Sequence, residues 1–132
     1  MIQKFIDKWH ENKNGLEKII SEKQWGSYED LVKEIIVNIL NVGEEEYDCY
    51  DVERLTTIDD GDYQGTQLFI FPTKTYQPGV GDYIITHNYY GSCSGCDTLL
   101  SISEYSDDVP TKEQVEDYMS LCLHLIEKMK VL

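Results

Sequence analysis

The sequence predicts an α+β fold in which a small antiparallel sheet, a β-meander, packs against N-terminal and C-terminal helices. Apolar residues recur with helical spacing towards both ends of the chain, whereas the middle is rich in alternating β-branched and aromatic residues. Helices and strands that are segregated along a chain favour separate layers over repeated βα units. The 132 residues suffice for one hydrophobic core and not for two, so we expect residues 1–132 to form a single domain.

The first helix is predicted from its apolar stripe. Positions i, i+3, i+4 and i+7 are held by Ile2, Phe5, Ile6 and Trp9. Asn14 and Gly15 are expected to interrupt this helix, because glycine is a poor helix former. A second short helical segment is expected to begin at Leu16.

A further helix is predicted from Ser27 onwards. Ser27 is a preferred N-cap residue, and Asp30 places an acid in the first turn. Apolar residues with helical spacing follow at 31–40, and Gly43 is expected to end the helix as its C-terminal cap.

The middle of the chain predicts three strands. Residues 50–58 and 64–71 are two runs typical of strands, and the Asp-Asp-Gly-Asp turn at 59–62 between them predicts a β-hairpin. Pro72 is expected to stop the second strand. Residues 83–90 are expected to form the third strand of the meander.

Two capping patterns predict the C-terminal helices. Asp97 is expected to cap a short helix, with a strand as the alternative. Thr111 and Gln114 form a capping-box pattern, and apolar residues at helical spacing continue from there to the C-terminus.

The charge of the chain is strongly negative and unevenly distributed. The formal net charge is −14, and residues 44–62 contribute nine acidic residues against Arg54 alone. Such a field repels nucleic acid and anionic membranes and attracts basic surfaces or cations. We therefore expect no direct contact with nucleic acid, and the absence of a long apolar run predicts no membrane span.

The acidic segment and its tyrosines predict a surface that binds a partner protein. The residues expected to contact the partner are Glu44, Glu45, Glu46, Asp48, Tyr50, Asp51, Glu53, Asp59, Asp60, Asp62 and Tyr63. Asp82, Asp107 and Asp108 are expected to extend this surface. Tyrosine suits interfaces because it supplies contact area and a hydroxyl group at low entropic cost. The alternative is that these tyrosines are half-buried residues of a small sheet.

The segment Cys93-Ser94-Gly95-Cys96 leaves three interpretations open. A Cys-x-x-Cys pair at a helix N-terminus has lowered thiol pKa values and supports redox chemistry. The same pair supplies half of a zinc site, since structural zinc takes four ligands. The remaining thiols and imidazoles are the candidate further ligands: Cys49, His87, Cys122, His10 and His124. In the third interpretation the segment is a tight turn with buried cysteines. No cofactor is therefore expected, with zinc as the alternative.

Catalytic patterns are not indicated elsewhere. The turn around Gly61 lacks the alternating oxygen ligands of an EF-hand loop. The sequence contains neither a Gly-x-Ser-x-Gly motif nor a glycine-rich phosphate loop that ends in lysine. A pocket built on the tyrosines and His87 of the third strand is a further alternative, for which the sequence names no substrate.

Three segments of the chain carry a resemblance to a known family. They are residues 47–54, residues 58–66 and the Tyr-Tyr-Gly-Ser-Cys-Ser-Gly-Cys-Asp-Thr-Leu block at 89–99, which is the most specific of the three. In these segments the chain resembles a family of small acidic proteins carried by tailed phages and prophages of Gram-positive bacteria. The resemblance implies a phage-encoded protein that acts in the cytoplasm of an infected cell.

Charge and context together predict a non-enzymatic interaction protein. Its acidic face is expected to bind a basic surface of a host or defence protein, with carboxylates in place of nucleic-acid phosphates. The first residues lack the features of a secretory signal, so a cytoplasmic location is expected. The alternative function is a thiol-redox or structural zinc protein centred on Cys93 and Cys96.

Overall fold

The computed structural model describes residues 2–61, 64–92 and 97–131. The described residues form four α-helices: α1 (Ile2–Ile20), α2 (Tyr28–Ile35), α3 (Thr98–Ser103) and α4 (Lys112–Glu127). They also form four strands: β1 (Thr56–Asp59), β2 (Gly65–Pro72), β3 (Tyr83–Tyr90) and β4 (Lys130–Val131). The strands pair antiparallel in the order β1-β2-β3-β4, which confirms the predicted α+β fold and the meander of the first three strands.

One face of the sheet packs against the helices. Side chains alternate between the two faces of a strand, and those of the inner face contact α4 and the connection that leads from the helices into β1. Thr86 Oγ1 donates a hydrogen bond of 2.7 Å to the Leu125 carbonyl in α4. The Phe71 ring lies edge-on to Tyr50, which in turn contacts Phe5 of α1. The hydrophobic core therefore lies between the helices and this inner face.

The opposite face of the sheet points away from the helices. Its outward positions, read from the strand register, are Thr56, Ile58, Thr66, Leu68, Ile70, Pro72, Tyr83, Ile85, His87, Tyr89 and Lys130. All of these side chains except the buried Pro72 are exposed or half-buried. None of the apolar ones belongs to the core or to the partly buried residues packed against it.

The predicted caps begin the helices to which they were assigned. Ser27 Oγ accepts a hydrogen bond from a backbone N–H of α2. The Asp97 carboxylate does the same for α3, so this segment is a helix and not the alternative strand. Thr111 and Gln114 exchange both bonds of a capping box, at 3.1 Å and 2.9 Å. These side chains satisfy N–H groups that have no partner within the helix.

Two predictions for the N-terminal half are wrong in their boundaries. The helix α1 continues through Gly15 to Ile20. Leu16 and Ile20 are fully buried, and their packing outweighs the roughly 1 kcal/mol that a helical glycine costs. The helix that begins as α2 continues as the π-helical turn Ile36–Leu40 and is capped by Asn41. Gly43, with a φ of 80°, lies two residues beyond that cap.

Two further boundaries differ from the prediction. The first strand begins at Thr56 and not at Tyr50, because Val52–Arg54 forms a 3₁₀ turn. The last helix ends at Glu127, and Lys130–Val131 pairs with β3 as a short fourth strand. None of the helices in the described parts of the chain is long and apolar enough to cross a membrane.

Candidate functional site

Two connections are hydrogen-bonded to each other at the end of the sheet where β3 begins. Residues 44–54 lead from the α2 layer into β1, and residues 73–82 join β2 to β3. The Lys74 N–H donates a bond of 2.9 Å to the Cys49 carbonyl. We call residues 44–54 and 73–82 together the acidic loop surface, since they carry seven carboxylates and two cationic side chains.

Asn41 and Tyr50 fix the first of these connections to the helix layer. Asn41 Nδ2 donates to the Tyr50 carbonyl at 3.0 Å, and the Tyr50 N–H donates to Asn41 Oδ1 at 2.8 Å. Burial raises the pKa of the Tyr50 hydroxyl, and the nearby carboxylates of Glu44, Asp48 and Asp82 raise it further. Three acids from both connections therefore lie near one phenol group, although the ring itself belongs to the core packing.

Two acids of the acidic loop surface are neutralised by cations. Glu44 Oε1 lies 2.8 Å from Lys8 Nζ and 3.3 Å from Lys4 Nζ, both on α1. The hydrogen bond from Lys8 is the main reason why the pKa of Glu44 is lowered. Asp51 pairs with Arg54 at 2.8 Å. Its pKa is lowered because this bond and a backbone N–H together outweigh the opposing effect of burial.

The other acids of residues 44–54 stay exposed beside large side chains. Within the described chain the following make no ion pair: Glu45, Glu46, Asp48 and Glu53. Tyr47 is 64% exposed, Tyr76 is 94% exposed and Val80 is 74% exposed. Exposed aromatic and apolar groups among carboxylates are suited to a protein interface, in which tyrosine is enriched.

Asp59 and Asp60 lie at the opposite end of β1 from residues 44–54. Asp59 Oδ1 accepts a 2.6 Å bond from the Tyr90 hydroxyl, and this bond is the main cause of its lowered pKa. Asp60 Oδ1 accepts a 2.7 Å bond from the Thr66 N–H. Both carboxylates therefore hold the hairpin turn together, and the structure does not bring them to the acidic loop surface.

The other predicted members of the acidic face lie elsewhere or outside the described residues. Asp107 and Asp108 precede α4, where Gln24 Nε2 donates to the Asp108 carbonyl at 2.9 Å. This contact places them beside the connection between α1 and α2. Asp62 and Tyr63 lie outside the described residues.

Cys93 and Cys96 also lie outside the described residues, so the redox and zinc interpretations stay predictions. The structure does show where Cys49, one of the candidate further zinc ligands, lies relative to the residues that flank the pair. Cys49 lies at the end of the sheet where β3 begins, whereas Ser92 and Asp97 follow the other end of that strand. The eight residues of β3 span roughly 23 Å at about 3.3 Å per residue. Cys49 is therefore not brought to the residues that flank the pair.

The remaining thiol and imidazole groups have separate environments. Cys122 is fully buried in α4, and burial raises the pKa of its thiol to about 12. His87 is exposed on the outer face of β3, where partial burial and then the charges of Lys128 and Lys130 lower its pKa. Among the residues that the structure describes, no group of three or more His, Cys, Asp or Glu side chains is arranged to hold a metal ion.

A cleft of about 620 Å³ lies between β3, α3 and α4. Its polar lining includes Asn88, Asp97, Ser101, Asp117, His124 and Lys128. Lys128 Nζ donates to Asn88 Oδ1 at 2.7 Å, so these two groups already bind each other. Sequence analysis identified Asp97 from its capping pattern but not this cleft, because Asn88 and Lys128 are forty residues apart and carry no local pattern.

No family model, curated protein or solved structure matches the chain.

Proposed function

We propose that the chain is a non-enzymatic, phage-type interaction protein whose acidic loop surface binds a basic protein surface. One observation carries this proposal. Tyr47 and Tyr76 are large, strongly exposed side chains that stand among exposed carboxylates, on two loops that are hydrogen-bonded to each other. Tyrosine supplies the apolar contact of such an interface, and the carboxylates supply its charge.

The chemistry of the surface indicates the class of partner. Carboxylates on ordered backbone form charge-assisted hydrogen bonds with arginine and lysine, as phosphates do. A basic surface that handles nucleic acid is therefore the partner that fits best. The resemblance to phage proteins favours a host or defence protein in the cytoplasm of the infected cell.

The proposal is tested by affinity capture from lysate of a Gram-positive host, with two variants of equal charge. The surface variant replaces four exposed acids by their amides: Glu45→Gln, Glu46→Gln, Asp48→Asn and Glu53→Gln. The control variant removes the same charge from exposed positions of α1, the turn that follows it and α4: Glu11→Gln, Glu17→Gln, Glu22→Gln and Glu116→Gln.

We expect wild-type protein and the control variant to capture the same basic proteins, and the surface variant to lose them. Captured proteins should be released by a few hundred millimolar salt, because screening weakens exposed charge pairs. If both variants lost capture equally, the binding would depend on net charge and not on the acidic loop surface. Unchanged capture by the surface variant would contradict the proposal.

A further inference from the structure

Arg54 joins the two loops of the acidic loop surface. Its Nε donates a hydrogen bond of 2.8 Å to Asp51 Oδ2 in the first loop. Its Nη2 donates to the carbonyls of Thr73 and Thr75 in the second loop, at 2.8 Å and 3.0 Å. The Asp51 carboxylate also neutralises the charge of the guanidinium group. Arg54 therefore holds the loops against each other and does not act as a repelling cation towards a basic partner.

The second loop presents Tyr76 between two fixed segments. Thr75, the residue before it, is bonded to Arg54. On the other side the Gly79 N–H donates to Asp82 Oδ2 at 2.9 Å, and the Asp82 N–H donates to the Gly79 carbonyl at 3.0 Å. The Tyr76 side chain itself is 94% exposed. An aromatic residue on a loop that is held at both ends loses little conformational entropy when it binds.

The contacts between the loops also bring exposed carboxylates to the loop of Tyr76. Asp48 precedes Cys49, whose carbonyl accepts a hydrogen bond from the second loop. Glu53 precedes Arg54, which bonds to that loop twice. Both acids are exposed and make no ion pair within the described chain. An open aromatic ring and carboxylates without a counter-ion in the described structure therefore belong to one part of the surface.

This combination of groups fits arginine better than lysine. A guanidinium group stacks on an aromatic face and binds a carboxylate through two parallel N–H bonds, whereas an ammonium group is a compact, strongly hydrated point charge. Carboxylates alone attract both cations through the same charge. The exposed ring is therefore the feature of the surface that distinguishes between the two side chains.

We propose that the acidic loop surface selects arginine in its partner, with Tyr76 as the ring on which a guanidinium group stacks and Arg54 as the residue that positions this ring. The inference rests on the proposed function and names the basic groups that the partner contributes. An arginine of the partner pairs with a carboxylate of the surface and lies against the Tyr76 ring at the same time. A lysine forms the ion pair but not the planar stack.

Two peptides of equal length and charge test the inference, one of alternating arginine and glycine and one with lysine in place of every arginine. Fluorescence anisotropy at low salt, where exposed charges are least screened, measures their dissociation constants. Tyr76→Leu keeps an apolar side chain and removes the ring. Its control is Tyr89→Leu, because Tyr89 is 52% exposed on the outer face of the sheet. Arg54→Lys keeps the charge and removes the planar fork.

We expect the wild-type chain to bind the arginine peptide roughly threefold or more tightly than the lysine peptide. Tyr76→Leu should remove this preference and leave binding of the lysine peptide nearly unchanged, whereas Tyr89→Leu should retain the preference. Arg54→Lys should reduce the preference and speed hydrogen–deuterium exchange in residues 73–82 of the free chain, because the second loop loses its bonds to the guanidinium group. Tyr76→Leu should leave that exchange unchanged, and thermal melts establish that each variant folds.

Equal binding of the two peptides by the wild-type chain, no binding of either, or a preference that Tyr76→Leu leaves intact would overturn the inference. Unchanged preference and exchange in Arg54→Lys would overturn the role of Arg54. The surface variant described above separates these outcomes from failure of the proposed function. If the wild-type chain bound both peptides equally and the surface variant bound neither, the proposed function would stand without selection of arginine. If the surface variant bound both as tightly as the wild-type chain, the proposed function would be contradicted as well.

Discussion

The Tyr28 hydroxyl donates a hydrogen bond of 2.9 Å to Asp97 Oδ1 in the interior of the protein. Asp97 also accepts bonds from the N–H groups of Leu100 and Gly91. One carboxylate therefore joins the start of α2, the start of α3 and the end of β3. Burial raises the pKa of Tyr28 to about 12, so this hydroxyl stays protonated and donates at neutral pH.

This junction predicts two stability losses of different size. Asp97→Ala removes a helix cap and leaves the Tyr28, Gly91 and Leu100 donors without their acceptor, so it should lower the free energy of unfolding by about 2–3 kcal/mol. Tyr28→Phe removes one of these bonds and should cost about 1–2 kcal/mol. Urea unfolding at neutral pH measures both. If neither variant lowered the free energy of unfolding measurably, the Asp97 carboxylate would not join these three elements in a way that stabilises the fold.

The end of α3 predicts a stabilising substitution. Glu104 has a φ of 51° and a ψ of 37°, the left-handed conformation that side chains with a Cβ adopt at a cost. Glu104→Gly should therefore raise the free energy of unfolding by about 0.5–1 kcal/mol. The matched control is Ser101→Gly inside the same helix, which should lower it by about 0.5 kcal/mol. If glycine lowered the free energy of unfolding equally at positions 104 and 101, the left-handed conformation of Glu104 would be contradicted.

The ion pairs of Glu44 predict a dependence of stability on pH. Because the folded-state pKa of Glu44 is lowered, its contribution is present above the unfolded-state pKa and is lost as the pH falls through the folded-state pKa. Glu44→Gln should cost about 0.5–1 kcal/mol at pH 7. Wild-type protein and variant should converge in denaturant midpoint as the pH falls below the folded-state pKa of Glu44. Glu45→Gln, at an exposed position without an ion pair in the described chain, should show no such difference at either pH.

The zinc prediction for Cys93 and Cys96 is tested by native mass spectrometry of protein purified under reducing conditions without chelator. A mass greater by one zinc ion per chain would support the metal site, and a metal-free mass would exclude it. Iodoacetamide labelling of the folded chain adds an internal control. Cys122 should remain unmodified, because its thiol is fully buried and its pKa is raised to about 12.

Sequence patterns correctly predicted the helix starts, because these are determined by interactions between residues close together in the chain. The caps Ser27, Asp97 and Thr111 depend on a side chain and a backbone group within three residues, so a single sequence displays them. The break predicted at Gly15 failed because burial of Leu16 and Ile20 by distant elements decides that segment. The strand β4 has two residues, too few for a periodic pattern.

The candidate site was only partly predictable for the same physical reason. The acids clustered along residues 44–62 indicated one acidic surface. Their distance in space depends on the course of β1, which separates Asp59 and Asp60 from residues 44–54. The approach of Asp82 to Tyr50 depends on the antiparallel pairing that brings the two loops together. The open sheet face follows from the register of the strands and from which face the helices cover.

Hydrogen–deuterium exchange of the chain, alone and with the basic protein that it captures, tests the central claim most directly. The account predicts slower exchange on binding within residues 44–54 and 73–82, with little change in α1 and α4. Protection confined to the helices or to the cleft beside Lys128, with none in the two loops, would contradict the acidic loop surface as the binding site.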